Sequence, residues 1–348
     1  MRIRFLILLL LISLFIPQFA FAEEYQAPSP PESAQKYMPE DADSFFDGLW
    51  YILKQAIQEF QPNISESAVS CLKLIGIALL TSALTSANSS QKGIIEFAGI
   101  LSIGVLILEP VGNLISLGAE TMQELRNYGT LLLPVMTAAM AAQGGLSASA
   151  SLYAGTTAFN AFLSNTTTIL IIPGIYISLA LAIADNALGM NTLTDIRKLI
   201  KGIIVWVLKI VLYVFTGYVA VSGVINGTAD AYAIKATKIA LSGSVPVVGG
   251  IISDASEAIL VSAGLVKNSV GVYGLLAILS ICVGPFLRIG IQYLMLQLTA
   301  SLCSVFGSKR VVGMIRELGS ATGILLAATG TLCLLLLISI VCFMKGVL

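Results

Sequence analysis

Seven apolar runs in the chain are each long enough to cross a lipid bilayer. They cover residues 69–87, 94–117, 167–184, 203–225, 268–285, 286–306 and 320–344. A helical span needs about 20 predominantly apolar residues, and a helix satisfies its backbone hydrogen bonds internally, as the hydrocarbon core requires. Only 11% of the residues are charged. The sequence therefore predicts an all-α, polytopic helical membrane protein, with about 7 to 9 spans when two further apolar segments are included.

Composition and missing motifs exclude several functional classes. Nineteen Lys plus Arg residues balance nineteen Asp plus Glu residues, so no basic field is available to hold nucleic acid. Histidine is absent, which removes the usual metal ligand and the usual catalytic base. The five cysteines lie in apolar runs without a Cys-x-x-Cys pair and are expected to be buried. We expect no enzyme activity, cofactor or metal, and any nucleotide-driven step would need an ATPase from another chain.

Residues 1–22 have the pattern of a secretory signal peptide. Arg2 and Arg4 precede an apolar stretch over residues 5–16, and small residues around Ala22 offer a cleavage site. The alternative is an uncleaved anchor helix, but this stretch is shorter than the roughly 20 residues of a span. We expect an extracytoplasmic mature N-terminus and a helical transmembrane domain over residues 69–348.

Residues 23–68 form an acidic external segment in the prediction. They carry nine acidic side chains against two lysines and open with a Pro-rich tract. Residues 42–60 place apolar side chains at helical spacing, which predicts an amphipathic helix. Such a helix would lie on the outer leaflet, on a partner protein or on the transmembrane helices of its own chain.

The distribution of basic residues predicts the orientation. Lys and Arg concentrate on cytoplasmic loops of membrane proteins. Two predicted loops, 185–202 and 307–319, contain three basic residues each: Arg197, Lys198 and Lys201, and Lys309, Arg310 and Arg316. We expect both loops in the cytoplasm and the C-terminus on the outer side.

Two short apolar segments contain a proline followed by paired glycines. Their residues are Pro134, Gly144 and Gly145 in the first segment, and Pro246, Gly249 and Gly250 in the second. Both are predicted as broken or re-entrant helices whose freed backbone is buried in protein or lines a wet cavity, with ordinary proline-kinked helices as the alternative. The chain is expected outside before residue 131 and in the cytoplasm after residue 184, so the stretch 131–163 crosses the membrane either twice or not at all, which favours a hairpin. By the same count of crossings, the stretch 239–266 is expected to cross an odd number of times.

Two charged residues lie deep in apolar runs, and one run carries a stripe of small residues. Glu109 and Lys209 would pair with each other or contribute to a polar path, because an ionisable group in the bilayer must face protein or water. Gly319, Gly323 and Ala327 recur every four residues. This spacing predicts a close helix contact, within the chain or with a second subunit.

Residues 222–278 contain a series of short motifs in a characteristic order and spacing. They are Ala229-Asp230, Ala233-Ile234-Lys235-Ala236, Pro246-Val247-Val248-Gly249, Ser253-Asp254-Ala255, Lys267-Asn268 and Val270-Gly271. With these motifs the region resembles the stage III sporulation protein AE family. The Leu-Pro and Gly-Gly pattern of 131–145 and the signal sequence agree with it. The external N-terminal part is short for the family, which leaves any partner contact of that part open.

The resemblance implies a role in endospore formation. Family members are polytopic components, on the mother-cell side, of a channel between mother cell and forespore. They act with other proteins of the stage III channel complex, including a separate cytoplasmic ATPase, and keep the engulfed forespore transcriptionally active. The family has no assigned catalytic residues. The implied location is the mother-cell membrane around the forespore.

The region of resemblance also has a physical interpretation. An amphipathic stretch with Asp230 and Lys235 leads into the Pro246 break, and a second stretch follows with Asp254 and Lys267. A helix, a break and a helix would form a pore mouth, a docking surface or only a connecting elbow. The alternative function is a self-sufficient secondary transporter that uses the broken helices and the two deep charges.

Overall fold

The computed structural model describes residues 27–39, 44–58, 60–142, 146–189, 193–221 and 269–345. Within these ranges the regular structure is entirely helical. The helices are α1 (Glu32–Gln35), α2 (Phe45–Gln58), α3 (Phe60–Ala87), α4 (Lys92–Ala142), α5 (Leu146–Thr166), α6 (Ile172–Leu188), α7 (Thr194–Val221), α8 (Ser269–Cys303) and α9 (Lys309–Lys345). The predicted signal peptide lies outside the described residues.

Six helical stretches in the described ranges are long and apolar enough to cross a membrane. The chain is therefore a polytopic helical membrane protein. These stretches do not follow the predicted crossings one for one. Helix α4 has 51 residues, so it is about 77 Å long at 1.5 Å per residue. It joins the predicted span 94–117 and the segment 131–142 in one helix that is far longer than the roughly 30 Å hydrocarbon core.

Helix α4 continues through Pro134 to Ala142, so the chain is not broken at this proline, and the alternative of a proline-containing helix applies there. Pro134 has no N–H to donate to the helix, but its neighbours are tightly packed. Leu132, Leu133 and Met136 are each 1% exposed. Tertiary packing therefore holds the helix where the local sequence favours a break. Gly144 and Gly145 lie outside the described residues.

The return from α4 is a second long helical stretch. Helix α5 continues through a wider π-helical turn, Thr167–Ile171, into α6. Pro173 lies in the first turn of α6 and has no N–H to donate to the helical hydrogen-bond ladder. The wider turn directly before it accommodates this missing donor. The predicted hairpin over 131–163 is therefore formed by the ends of two long helices, which also contain the neighbouring predicted spans.

Two predicted crossings, 268–285 and 286–306, are one helix in the structure. Helix α8 contains Pro285 in its interior, and Ile281, Cys282 and Ile289 on both sides of it are buried. The predicted boundary at this proline is therefore wrong, because packing holds the helix here as it does at Pro134. The odd number of crossings expected for 239–266 depended on this boundary. That stretch itself lies outside the described residues.

Helix α9 is the centre of the bundle. It packs against α4, α5, α6, α7 and α8, and 94% of its most apolar 18-residue window is buried. Its apolar run is the most hydrophobic of the six stretches. The apolar character of α9 therefore serves packing inside the protein more than contact with lipid.

Helix α2 packs on α8 through the face that contains Gly48 and Ile52. Most of its large apolar side chains lie on another face. A Cβ at Gly48 would lie 2.6 Å from a Leu276 methyl group, so the glycine permits close approach of the two helices. Phe45, Ile52 and Ala56 are buried on this face, at 0%, 1% and 3% exposure. The other apolar residues of the predicted face are exposed or half-buried: Phe46, Leu49, Trp50, Leu53 and Ile57.

The connections after α3, α6 and α8 meet at one end of the bundle. The Ser82 hydroxyl donates to the Phe306 carbonyl at 2.6 Å, and Arg310 Nε lies 3.4 Å from Glu96 Oε2. We call this end, which also holds Arg197, the basic end. At the opposite end, the Tyr218 hydroxyl donates to the Ser151 carbonyl, and Gly271 lies against Met344.

Candidate functional site at the basic end

An ion-pair cluster joins three helices at the basic end. Asp185 lies near the end of α6, Arg197 and Lys201 lie in the first turns of α7, and Glu317 lies near the start of α9. The cluster thus brings together the two basic segments that the sequence predicts on one side of the membrane. Their contact shows that both segments occupy the same end of the bundle.

Arg197 and Asp185 form the most buried pair of the cluster. Arg197 Nη2 lies 2.5 Å from Asp185 Oδ2, and the two side chains are 6% and 2% exposed. The Asp185 carboxylate also accepts hydrogen bonds from the Thr194 hydroxyl at 2.6 Å and from the Leu193 N–H at 3.1 Å. These donors compensate the carboxylate for the loss of water.

Glu317 connects this pair to Lys201. Arg197 Nη1 lies 3.2 Å from Glu317 Oε2, and Lys201 Nζ forms an ion pair with the same oxygen. Lys201 also donates to the Ser320 hydroxyl at 3.0 Å. Arg197 Nε is buried without a hydrogen-bond partner among the described residues, and the contact of Nη1 with Glu317 is an ion pair without hydrogen-bond geometry. Two cations and two carboxylates therefore neutralise each other, but the guanidinium is not fully hydrogen-bonded.

A second contact fixes the end of α6 against α9. Gly189 follows α6 with φ of 69°, a left-handed conformation that glycine adopts without strain. A Cβ at this position would lie 2.1 Å from the Arg310 guanidinium carbon. The chain therefore passes directly against the side chain that pairs with Glu96.

The chemistry available to this cluster is electrostatic. Among the described residues, no group of three Cys, Asp or Glu side chains is placed to hold a metal ion. The cluster therefore links α6, α7 and α9 through ion pairs. Glu317, with a side chain 27% exposed, is its most accessible member.

The structure does not bring Glu109 and Lys209 together. Glu109 lies on α4 and Lys209 on α7, both side chains are exposed, and no ion pair joins them within 4.0 Å. Packing of α4 against α7 is not among the main helix contacts of the described residues.

The small residues of α9 lie against α8. A Cβ at Gly323 would be 2.9 Å from the Tyr293 ring, and one at Gly319 would be 3.3 Å from Gln297 Nε2. Ala327 is fully buried. The contact made by this stripe is therefore within the chain.

Seven candidate residues of the region of resemblance lie outside the described residues. They are Asp230, Lys235, Pro246, Gly249, Gly250, Asp254 and Lys267. Their suggested role at a pore mouth or docking surface stays a prediction.

The acidic half of the cluster was not predicted from the sequence. Asp185 and Glu317 border predicted loops and do not interrupt an apolar run. Each is a carboxylate at the end of a predicted span, and basic residues of a predicted loop on the same side of the membrane could pair with it. This combination is the signal that would have identified them.

Comparison with known proteins places this architecture in a family. A family sequence model described as stage III sporulation protein AE matches residues 40–346. A relative from Bacillus subtilis (strain 168), named stage III sporulation protein AE, is 23% identical over 240 residues, which cover 68% of this chain. The match spans 59% of the relative's length, and no solved structure matches the chain. Because the family match extends over most of the sequence, the chain belongs to the stage III sporulation protein AE family.

Proposed function

We propose that the chain is a non-enzymatic membrane component of the channel complex that joins mother cell and forespore and keeps the forespore transcriptionally active. Family membership carries the proposal, because it gives the chain a role in stage III of sporulation. The partners would be other proteins of this complex, including a separate ATPase.

The basic end would face the mother-cell cytoplasm. Lys92, Lys198, Lys309 and Arg316 are located there on the first turns of α4, α7 and α9, and basic residues are retained on the cytoplasmic side. This orientation agrees with an extracytoplasmic mature N-terminus. The exposed edge of the cluster at Glu317 would then lie on the side where a cytoplasmic ATPase acts.

The opposite half of α4 would extend into the space between the two membranes. The exposed side chains of α4 are apolar near the basic end, as at Leu101 and Val105. Between residues 113 and 130 they are polar, as at Glu120, Gln123 and Asn127, and Leu131 beyond them is apolar and 59% exposed. A polar exposed face on a helix longer than the bilayer is suited to water and to extracytoplasmic partners.

A self-sufficient carrier lacks a specific supporting observation. That alternative relied on Glu109 and Lys209, which lie apart on the exposed surfaces of α4 and α7. Purified protein reconstituted alone in vesicles should not move solutes. It should instead co-purify from sporulating cells with a secretion-type ATPase and other membrane proteins of the complex. Solute flux through the isolated chain, together with purification as a single species, would contradict the proposal.

A further inference from the structure

A polar pocket lies where α3, α4 and α8 meet, remote from the ion-pair cluster. Six side chains that line it are polar or charged: Glu66, Ser67, Ser70, Asn113, Arg288 and Gln292. The pocket is about four helical turns along α4 from Glu96, which lies at the basic end.

Gln292 is the buried donor of this pocket. The residue is 5% exposed, and its Nε2 has no hydrogen-bond partner among the described residues. A buried amide without a partner is unfavourable, so its position in a pocket wall suits a ligand that accepts a hydrogen bond. The neighbouring Ser67, 7% exposed, adds a hydroxyl that either donates or accepts.

The mouth of the pocket carries one charge of each sign. Arg288 Nη2 lies 3.4 Å from Glu66 Oε2, and the two side chains are 43% and 69% exposed. At this distance and exposure the pair is weak, so both groups are available to a ligand. A phosphodiester would accept from Arg288 and Gln292, and a primary ammonium beside it would donate to Glu66.

The surroundings favour a lipid as the source of this headgroup. Toward the basic end, exposed leucines continue on two of the lining helices: Leu72 on α3 at 65%, and Leu294 and Leu298 on α8 at 60% and 59%. On α4 the exposed face changes near the pocket from apolar Leu108 to polar Asn113. Such a change is expected at the boundary between hydrocarbon and water.

We propose that the pocket binds the headgroup of a zwitterionic phospholipid with a primary ammonium, while its acyl chains lie over the exposed leucines of α3 and α8. Arg288 and Gln292 bind the phosphate, and Glu66 binds the ammonium. The proposal does not depend on a role in a channel.

Native mass spectrometry of the delipidated full chain tests this assignment. The probes are phosphatidylethanolamine, phosphatidylcholine, phosphatidylglycerol and the water-soluble headgroup glycerophosphoethanolamine. We expect one phosphatidylethanolamine per chain, bound at least about tenfold more tightly than phosphatidylcholine, whose quaternary ammonium has no N–H to donate. Glycerophosphoethanolamine at equal concentration should not displace the lipid.

Three variants separate the roles of the lining residues. Arg288→Gln and Gln292→Leu should each lower phosphatidylethanolamine binding about tenfold. Glu66→Gln should remove the preference over phosphatidylcholine, a readout that general damage to the fold would not produce. Arg316→Gln, which removes an exposed charge on α9, is the matched control and should bind like the unaltered chain.

Several results would overturn the proposal. Equal binding of phosphatidylethanolamine and phosphatidylcholine would show that the ammonium is not recognised. Tighter binding of phosphatidylglycerol would indicate a simple anion site, and displacement by glycerophosphoethanolamine would indicate a site for a free zwitterion. Unchanged binding in both Arg288→Gln and Gln292→Leu would place the lipid elsewhere.

Discussion

Arg197 is held by carboxylates that lie far apart in the sequence. Asp185 precedes it by 12 positions, and Glu317 follows 120 positions later. A buried ion pair of this kind contributes little net stability compared with apolar residues of the same shape, but removal of one partner leaves an uncompensated charge. The main effect of the cluster is therefore on specificity: it favours the arrangement in which α6, α7 and α9 pack together at the basic end.

Asp185→Asn should destabilise the protein strongly. It removes the charge that neutralises a guanidinium with a side chain only 6% exposed, and breaking such a pair costs about 3–5 kcal/mol. Thermal unfolding in detergent micelles measures the loss. Asp195→Asn is the control, because the Asp195 and Lys198 side chains are 92% and 73% exposed and their pair contributes little. Equal melting temperatures for the two variants would contradict the account.

Gly189→Ala should lower the melting temperature, whereas Gly202→Ala should raise it slightly. The first substitution places a Cβ against the Arg310 guanidinium at a left-handed backbone conformation, with an expected cost of about 1–2 kcal/mol. The second adds a Cβ inside α7 with nothing within 4 Å, and alanine is favoured there by about 0.5–1 kcal/mol. An unchanged or raised melting temperature for Gly189→Ala would contradict this account of the end of α6.

At the scale of the elements, α4 has two different exposed faces. Leu101 and Val105 are 40% and 74% exposed near the basic end, and a helix of about 77 Å cannot lie wholly within a bilayer unless it tilts strongly. We propose that the polar side chains at Gln123 and Asn127 belong to the part that extends beyond it.

Cysteine labelling tests where α4 leaves the membrane. Gln123→Cys and Asn127→Cys should react from the outer side with a membrane-impermeant maleimide. Leu101→Cys and Val105→Cys should not react, although they are also exposed on the bundle surface, because lipid covers them. All five native cysteines are buried, so background labelling should be low. Protection at all four positions would place the whole helix in lipid or against a partner.

Apolar run length predicted the helices well, but not where they end. The run 268–306 was divided into two predicted crossings at Pro285, and the segment with Pro134 was predicted as broken, yet both prolines lie inside helices whose neighbouring residues are buried. Proline weakens an isolated helix, but local patterns do not contain this tertiary packing. The charged cluster could not be predicted as a set. Its pairing of Lys201 with Glu317 depends on a contact across 116 positions, which local patterns do not contain.

At the scale of the whole molecule, the fold is a bundle around one central, largely buried helix. Helix α9 packs against the other long helices. One set of charges joins its first turns to α6 and α7 at the basic end, and a second set lies away from it, at the pocket of α3, α4 and α8. Family membership gives the chain a role in stage III of sporulation, and we propose that the bundle acts there as a membrane scaffold for partner proteins.

The most direct test of this role is the activity of a forespore-specific reporter gene after engulfment, in cells that lack the chain. The account predicts that reporter activity falls when the gene is deleted and returns when the unaltered chain is expressed in the mother cell alone. Reporter activity and spore yield that stay at the level of the parent strain after deletion would contradict it.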